Sequence, residues 1–231
     1  MPILLLIRHA TNEFVRQGRL PGQLPNIHLN AEGREQAKAL AKMLSARRID
    51  AVYSSHLERA QETALHVAMP HGLPVHVWPA LADVDNGDWA GKPIKQLSED
   101  VATRELWQMV VERPSQAHFP NGEGMLAMQR RVVDALERII AAHPDLPVEP
   151  TAEHEKQLRL RPQEVVVVAH ADVIKAALAH HLDMPFDSFQ KLHVSPASLS
   201  ALAVFHDPQR GRRWSQLLCL NVQPYPTNFW T

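Results

Sequence analysis

Three short apolar runs, Ile3 to Ile7, Ala51 to Tyr53 and Val165 to Ala169, carry no alternating polar residues. A strand with one wet face alternates with period two, so a run without alternation belongs to a strand covered on both faces, as in a parallel sheet between helical layers. Helical patterns follow each run. After Asn30, an N-cap residue type, Ala37, Leu40, Ala41 and Leu44 recur at helical spacing, and Arg47 and Arg48 suit the negative end of the helix dipole. HLERAQETALHVA follows Ser54 and Ser55, and ADVIKAALAHHL follows His170, both built from strong helix formers. The repeated strand–helix order predicts an α/β fold with a mostly parallel sheet.

At 231 residues the chain is expected to form one domain, 1–231. Residues 87–123 mix Trp, Pro and Gly with a helix-like stretch near Leu97 to Val111, and read as a cap-like insertion over one face. Residues 143–164 are rich in Pro and charge and read as a mobile surface loop. LSALAVFHD and WSQLLCLNV flank PQRGRR, which predicts a hairpin at the sheet edge with a solvated basic tip.

The apolar run that opens the chain ends abruptly in Arg8 and His9, and the VVVVA run ends in His170. In an open parallel sheet the functional crevice lies outside the carboxyl ends of the strands, so if these two strands are neighbours their histidines meet there. The Ala51–Tyr53 strand leads through Ser54 and Ser55 into a helix that carries Arg59 in its first turns, beside N–H groups that favour an anion. Taken singly, a histidine at a strand end is more often a hydrogen-bonded residue than a catalyst, and a helical arginine is usually a solvated charge. Two arginines and two histidines gathered on one side of a sheet instead suit a phosphoryl group. Guanidinium forks match its oxygens, and neutral imidazole can attack phosphorus.

With 24 basic and 25 acidic residues the net charge is -1, so no whole-protein field exists to hold nucleic acid or an anionic membrane, and an anion site has to be local. The one cysteine, Cys219, excludes an internal disulfide and fits the cytoplasm. The N-terminal apolar run lacks the basic leader and cleavage site of a secretion signal, and no stretch reaches the roughly 18 apolar residues of a membrane span. The 14 histidines include no H-E-x-x-H spacing, and G-x-x-x-x-G-K is absent, so neither a metal nor another cofactor is expected.

RHA at Arg8 to Ala10, SSHLERAQETA around Arg59, LADVDNGDWAG at Leu81 to Gly91 and VVVVAHADVI around His170 together resemble the histidine phosphatase superfamily, also called phosphoglycerate-mutase-like. The resemblance runs over most of the chain, with GRLPG, LNAEGREQA and FPNGEG as supporting segments. It implies a three-layer α/β/α sandwich and catalysis through a phosphohistidine. His9 would be the nucleophile, Arg8, Arg59 and His170 the phosphate pocket, and Asp83 the proton donor at a position usually held by glutamate. The chain departs from the family pattern at Ala10, Asn12 and Val15 of the first segment, where Asn12 can still bind phosphate. It departs again at Gly124, where the family has a serine.

The resemblance implies a phosphomonoester hydrolase acting on a small phosphorylated metabolite. Two alternatives stay open: mutase-type phosphotransfer of the phosphoglycerate kind, and a non-catalytic module that binds a phospholigand or a partner. The natural substrate and the oligomeric state, a homodimer included, are not legible at this level.

Overall fold

The computed structural model describes residues 2–148, 159–207 and 212–224. The chain runs through β1 (Ile3–Arg8), the one-turn helix α1 (Glu13–Arg16), α2 (Ala31–Leu44), β2 (Ile49–Ser54), α3 (Glu58–Ala68) and β3 (Val75–Val77). Then come α4 (Ile94–Glu99), α5 (Arg104–Glu112), α6 (Met125–Ala142), β4 (Leu146–Val148) and β5 (Arg159–Arg161). The last part comprises β6 (Glu164–Ala169), α7 (Ala171–His181), β7 (Leu199–Asp207) and β8 (Arg212–Val222). Six strands form one sheet in the order β3-β2-β6-β1-β7-β8. β3, β2, β6 and β1 are mutually parallel, and β7 runs against both β1 and β8.

Consecutive residues of β1 and β6 feed opposite cores, which is why neither run alternates. Leu5, Ile7, Val166 and Val168 pack with Leu40 and Leu44 of α2 and Ala60, Ala64 and Val67 of α3. Leu4, Leu6, Val165 and Val167 pack on the other face with Val132, Leu136 and Ile139 of α6 and Ile174 and Leu178 of α7. The result is the α/β/α sandwich, with the sheet's carboxyl edge left for polar residues.

Several local expectations hold, and others are corrected. Asn30 caps α2, its side-chain oxygen accepting from Gly33 N at 2.8 Å. Arg47 lies past the end of α2 and pairs with Glu164 of β6 instead of serving the helix dipole. The helix read near Leu97 to Val111 is two helices, because Asp100 leaves the helical conformation and its side chain accepts from Ala102 N at 2.9 Å in a turn. α6 starts at Gly124 with no side-chain cap. The segment 143–164 is not all loop: its ends pair as the antiparallel ribbon β4–β5, and Arg161 grips Asp50 through both Nη atoms. Residues 149–158 lie outside the described residues. The hairpin is β7–β8, and residues 208–211 of its basic tip also lie outside them. No helix among the described residues is long and apolar enough to cross a membrane.

α2 is docked so closely behind the end of β1 that a Cβ on Gly33 would sit 2.0 Å from the Thr11 carbonyl oxygen. Neither backbone can yield without moving the segment that follows His9. Gly33→Ala is expected to destabilise the fold by about 2 kcal/mol or more, read as a lowered urea midpoint with an unchanged slope; an unchanged midpoint would show that this contact is soft.

Candidate active site

The register of the central strands sets the geometry. Arg8 of β1 pairs with Ala169 of β6, and the next residue on each strand is a histidine. His9 N–H donates to Ala169 O at 2.9 Å, and the two imidazole centroids lie 5.1 Å apart. On the far side of β6, Ser55 N–H donates to Val168 O at 3.0 Å, which brings the start of α3 to the same edge. The histidines thus meet as the sequence led one to expect, because their strands are neighbours.

His9 is buried, and its Nδ1 lies 2.8 Å from Ala10 O. A carbonyl only accepts, so Nδ1 carries the ring proton and Nε2 keeps its lone pair. Burial first, and then the charges of Arg59 and Arg8, hold the His9 pKa well below the ordinary histidine value, so the ring is neutral at physiological pH. His170 is shifted the same way, by burial and then by Arg59. Its Nε2 lies 2.9 Å from Ser55 Oγ, which itself accepts from Leu57 N at 3.2 Å. That arrangement lets the serine hydroxyl donate to Nε2, and in that tautomer the His170 proton stands on Nδ1.

Arg59, in the first turn of α3, is fully buried at 0% exposure. Its Nη2 donates to Gly22 O at 2.7 Å and contacts Asp83 Oδ2 at 3.3 Å, while Nε and Nη1 are buried without a partner. His170 Nδ1 and Asn12 Nδ2 are also buried without partners. Asn12 uses its oxygen to cap α1 through Val15 N, leaving its amide donor over. Buried donors are nearly always satisfied, so four such atoms near one histidine mark a place built for an oxygen-rich guest. Arg8, from the end of β1, donates through Nη1 to Val194 O at 2.7 Å and lines the cavity together with His9 and Asp83.

Of the three aspartates in LADVDNGDWAG, only Asp83 faces these groups; its Oδ2 lies 3.3 Å from Arg59 and 3.6 Å from His170 Nδ1. Asp85 accepts from Gly87 N at 2.9 Å in a turn, and Asp88 accepts from the Asn121 side chain at 3.0 Å across the 87–123 segment. Burial is the largest influence on Asp83 and lifts its pKa to about 6; Arg59 opposes the shift and Asp172 adds to it.

The cavity beside His9 has a volume of about 410 Å³. Its walls include Val15, Leu20, Ile94, Trp107, Val110 and Phe119, so the 87–123 segment supplies much of the apolar lining. Trp107 belongs to this lining and also packs against the core beside Trp89. Trp78 instead packs edge-on against Tyr53, and Trp89 is buried.

Sequence reading missed the scaffold behind the acid. Arg131 of α6 donates to Ala80 O, Ala82 O and Asp83 O at 3.0, 2.8 and 2.8 Å, and is itself held by both oxygens of Glu123. Glu123 stands in the FPNGEG segment, but its arginine partner carries no local signature. Ser55 beneath His170 was likewise seen only as a helix start.

With this geometry in view, residues 4–149 and 150–217 match the model of the histidine phosphatase superfamily (branch 1), and the chain belongs to that family. It is 30% identical over 199 residues to phosphoserine phosphatase 1 of Hydrogenobacter thermophilus, covering 86% of this chain and 85% of that one. It is 31% identical over 202 residues to the adenosylcobalamin/alpha-ribazole phosphatase of Escherichia coli, covering 87% and 89%. Among solved structures, a mycobacterial glucosyl-3-phosphoglycerate phosphatase in complex with VO3 superposes with a TM-score of 0.78 at 27% identity, over 96% of this chain and 100% of that one.

Arg131 ties the backbone of residues 80–83 to α6, beside the apolar packing of Leu81. Arg131→Ala removes the donor from Ala80 O and Ala82 O and one of two donors from Asp83 O, which keeps Gln23 Nε2 at 2.8 Å, and is expected to lower stability by about 2 kcal/mol, measured by thermal or denaturant unfolding. Retention of wild-type stability would show that residues 80–83 are held by other means.

Proposed function

We propose that the protein hydrolyses a small phosphomonoester through a covalent phosphohistidine on His9. The observation that carries this reading is the neutral His9, with its Nε2 lone pair available, beside buried guanidinium and imidazole donors that lack partners. Family membership and relatives named as phosphatases of phosphoserine, alpha-ribazole phosphate and glucosyl-3-phosphoglycerate support it. A net charge of -1 and the lone Cys219 fit a cytoplasmic enzyme of small metabolites better than one of nucleic acids.

In the first half-reaction, the Nε2 lone pair forms a bond to phosphorus as the bond from phosphorus to the leaving oxygen breaks. Arg8, Arg59, His170 and Asn12 donate to the non-bridging oxygens, whose charge rearranges during transfer. The protonated carboxyl of Asp83 passes its proton to the departing alkoxide. In the second half-reaction, Asp83 as carboxylate takes a proton from water, the water oxygen bonds to phosphorus, and the P–N bond breaks to restore neutral His9 and release phosphate. One carboxyl whose pKa is about 6 can serve both directions near neutral pH.

Rapid quench with labelled substrate should trap an acid-labile, alkali-stable phosphoenzyme that His9→Ala cannot form. Label retained by that variant would move the nucleophile elsewhere. The acid has its own signature. Because Asp83 must be protonated to donate, turnover limited by the first half-reaction should fall as pH rises through the pKa in the substrate complex, and bound phosphate should raise that value above the free enzyme's. Asp83→Asn should lose about 100-fold or more on an alkyl phosphate and far less on p-nitrophenyl phosphate, whose leaving group needs no proton. Equal losses on both substrates would remove Asp83 from the acid role.

A further inference from the structure

The cavity holds a second polar corner that the phosphate chemistry does not use. Asp172, in the first turn of α7, and Gln190, in the short helical turn Phe186–Lys191, both line it alongside Trp107. A carboxylate in a helix's first turn is favoured by the dipole, and Asp172 Oδ1 lies 3.4 Å from Lys175 Nζ one turn on. These facts explain why an acid is tolerated there. They do not explain why Lys175 is turned toward Gln190 Oε1, at 2.9 Å, or why both side chains share a cavity with the proposed acid.

An ammonium only donates, so the amide oxygen of Gln190 must face Lys175 and its NH2 group is the end left over. Asp172 Oδ2 has no donor among the described residues, and a carboxylate only accepts. The corner therefore offers an acceptor and a donor together, next to the flat apolar surface of an indole. A hydroxyl group is the common functional group that donates and accepts at once, and the C–H face of a polyhydroxylated chain or ring suits an aromatic wall. An ammonium would satisfy Asp172 but leave the Gln190 donor unmatched. A carboxylate or second phosphate would meet the charge of Asp172. Asp172 and Gln190 line the same cavity as Asp83, so this corner shares its space with the group proposed to protonate the leaving oxygen.

We infer that Asp172 and Gln190 read hydroxyl groups on the leaving alcohol, so that the substrate is the phosphomonoester of a sugar or other polyol. The inference rests on the phosphatase reading above and names the substrate class of that site. The test compares kcat/KM for ribose 5-phosphate, O-phosphoethanolamine and n-butyl phosphate, with p-nitrophenyl phosphate as a control for the phosphoryl machinery. The wild-type enzyme should prefer ribose 5-phosphate to n-butyl phosphate by about 100-fold or more, because the analogue lacking hydroxyls leaves the corner unpaired. Gln190→Ala should reduce kcat/KM for ribose 5-phosphate by about tenfold while n-butyl phosphate stays within about twofold, and Asp172→Ala, which also removes a charge that acts on Asp83, should lower the ratio of ribose 5-phosphate to n-butyl phosphate by about tenfold.

A wild-type preference for O-phosphoethanolamine would make the corner an ammonium reader and overturn the inference. Equal rates on ribose and butyl phosphates would overturn it too, as would variants that slow both substrates alike. In each case continued turnover of p-nitrophenyl phosphate leaves the phosphatase reading standing. Failure to turn over any of the four would reject both together. The wild-type comparison decides even if one variant does not fold.

Discussion

The alignment of β1, β6 and β2 is the constraint on which the rest depends. Parallel strands in register end at one level, so the residue after each strand is delivered to one edge without any long-range device. His9 follows Arg8, His170 follows Ala169, and Ser55 follows Ser54; the pairing of Arg8 with Ala169 and Ser54 with Val168 brings all three together. A slip of one residue would turn every side chain of β1 to the other face and put its apolar residues into the wrong core. The same apolar packing that holds the sheet thus fixes the distance between the imidazoles, and no separate interaction is needed to position them.

Burial then acts in opposite senses on the two kinds of titrating group. A histidine loses its charged form and an aspartate loses its charged form, but for one that means neutral base and for the other neutral acid. His9 is kept unprotonated while Asp83 keeps its proton to about pH 6. Arg59 pulls in the same direction for His9, by repelling a second cation, and against the trend for Asp83, by favouring the carboxylate. The arginine is therefore a brake on the acid, and Asp172 offsets part of that brake.

What could be read from the chain follows from where the information lies. Arg8, His9 and His170 were legible because each terminates an apolar run, and the termination is local. Arg59 was legible from its place just after a strand and a serine pair. Asp83 could be singled out from Asp85 and Asp88 only through family resemblance, since three acids in eleven residues look alike until the hydrogen bonds of the other two, to Gly87 N and to Asn121, are seen. The Arg131 clamp was invisible because, Glu123 apart, its partners are backbone carbonyls 48 to 51 residues away, and a carbonyl leaves no mark on the sequence. The break at Asp100 was missed for a different reason: residues 97–111 hold no proline or glycine to mark it, and the turn rests on the hydrogen bond from Ala102 N to the Asp100 side chain.

The proposed nucleophile and its proposed anion-binding partners stand at strand ends and at the starts of α1 and α3, whereas much of the apolar wall comes from residues 94–119. Gly87 and Gly122 close the neck of that excursion so tightly that a Cβ on Gly87 would meet Pro120 O at 2.1 Å and Gly122 N at 2.5 Å. The neck is stitched to itself, and the sheet edge is stitched to its own neighbours. Chemistry and selectivity are in this sense inherited separately: the excursion can be lengthened, shortened or rewritten between its glycines while the reacting groups keep their spacing. A designer who wished to redirect the enzyme would work above the neck and leave the sheet alone.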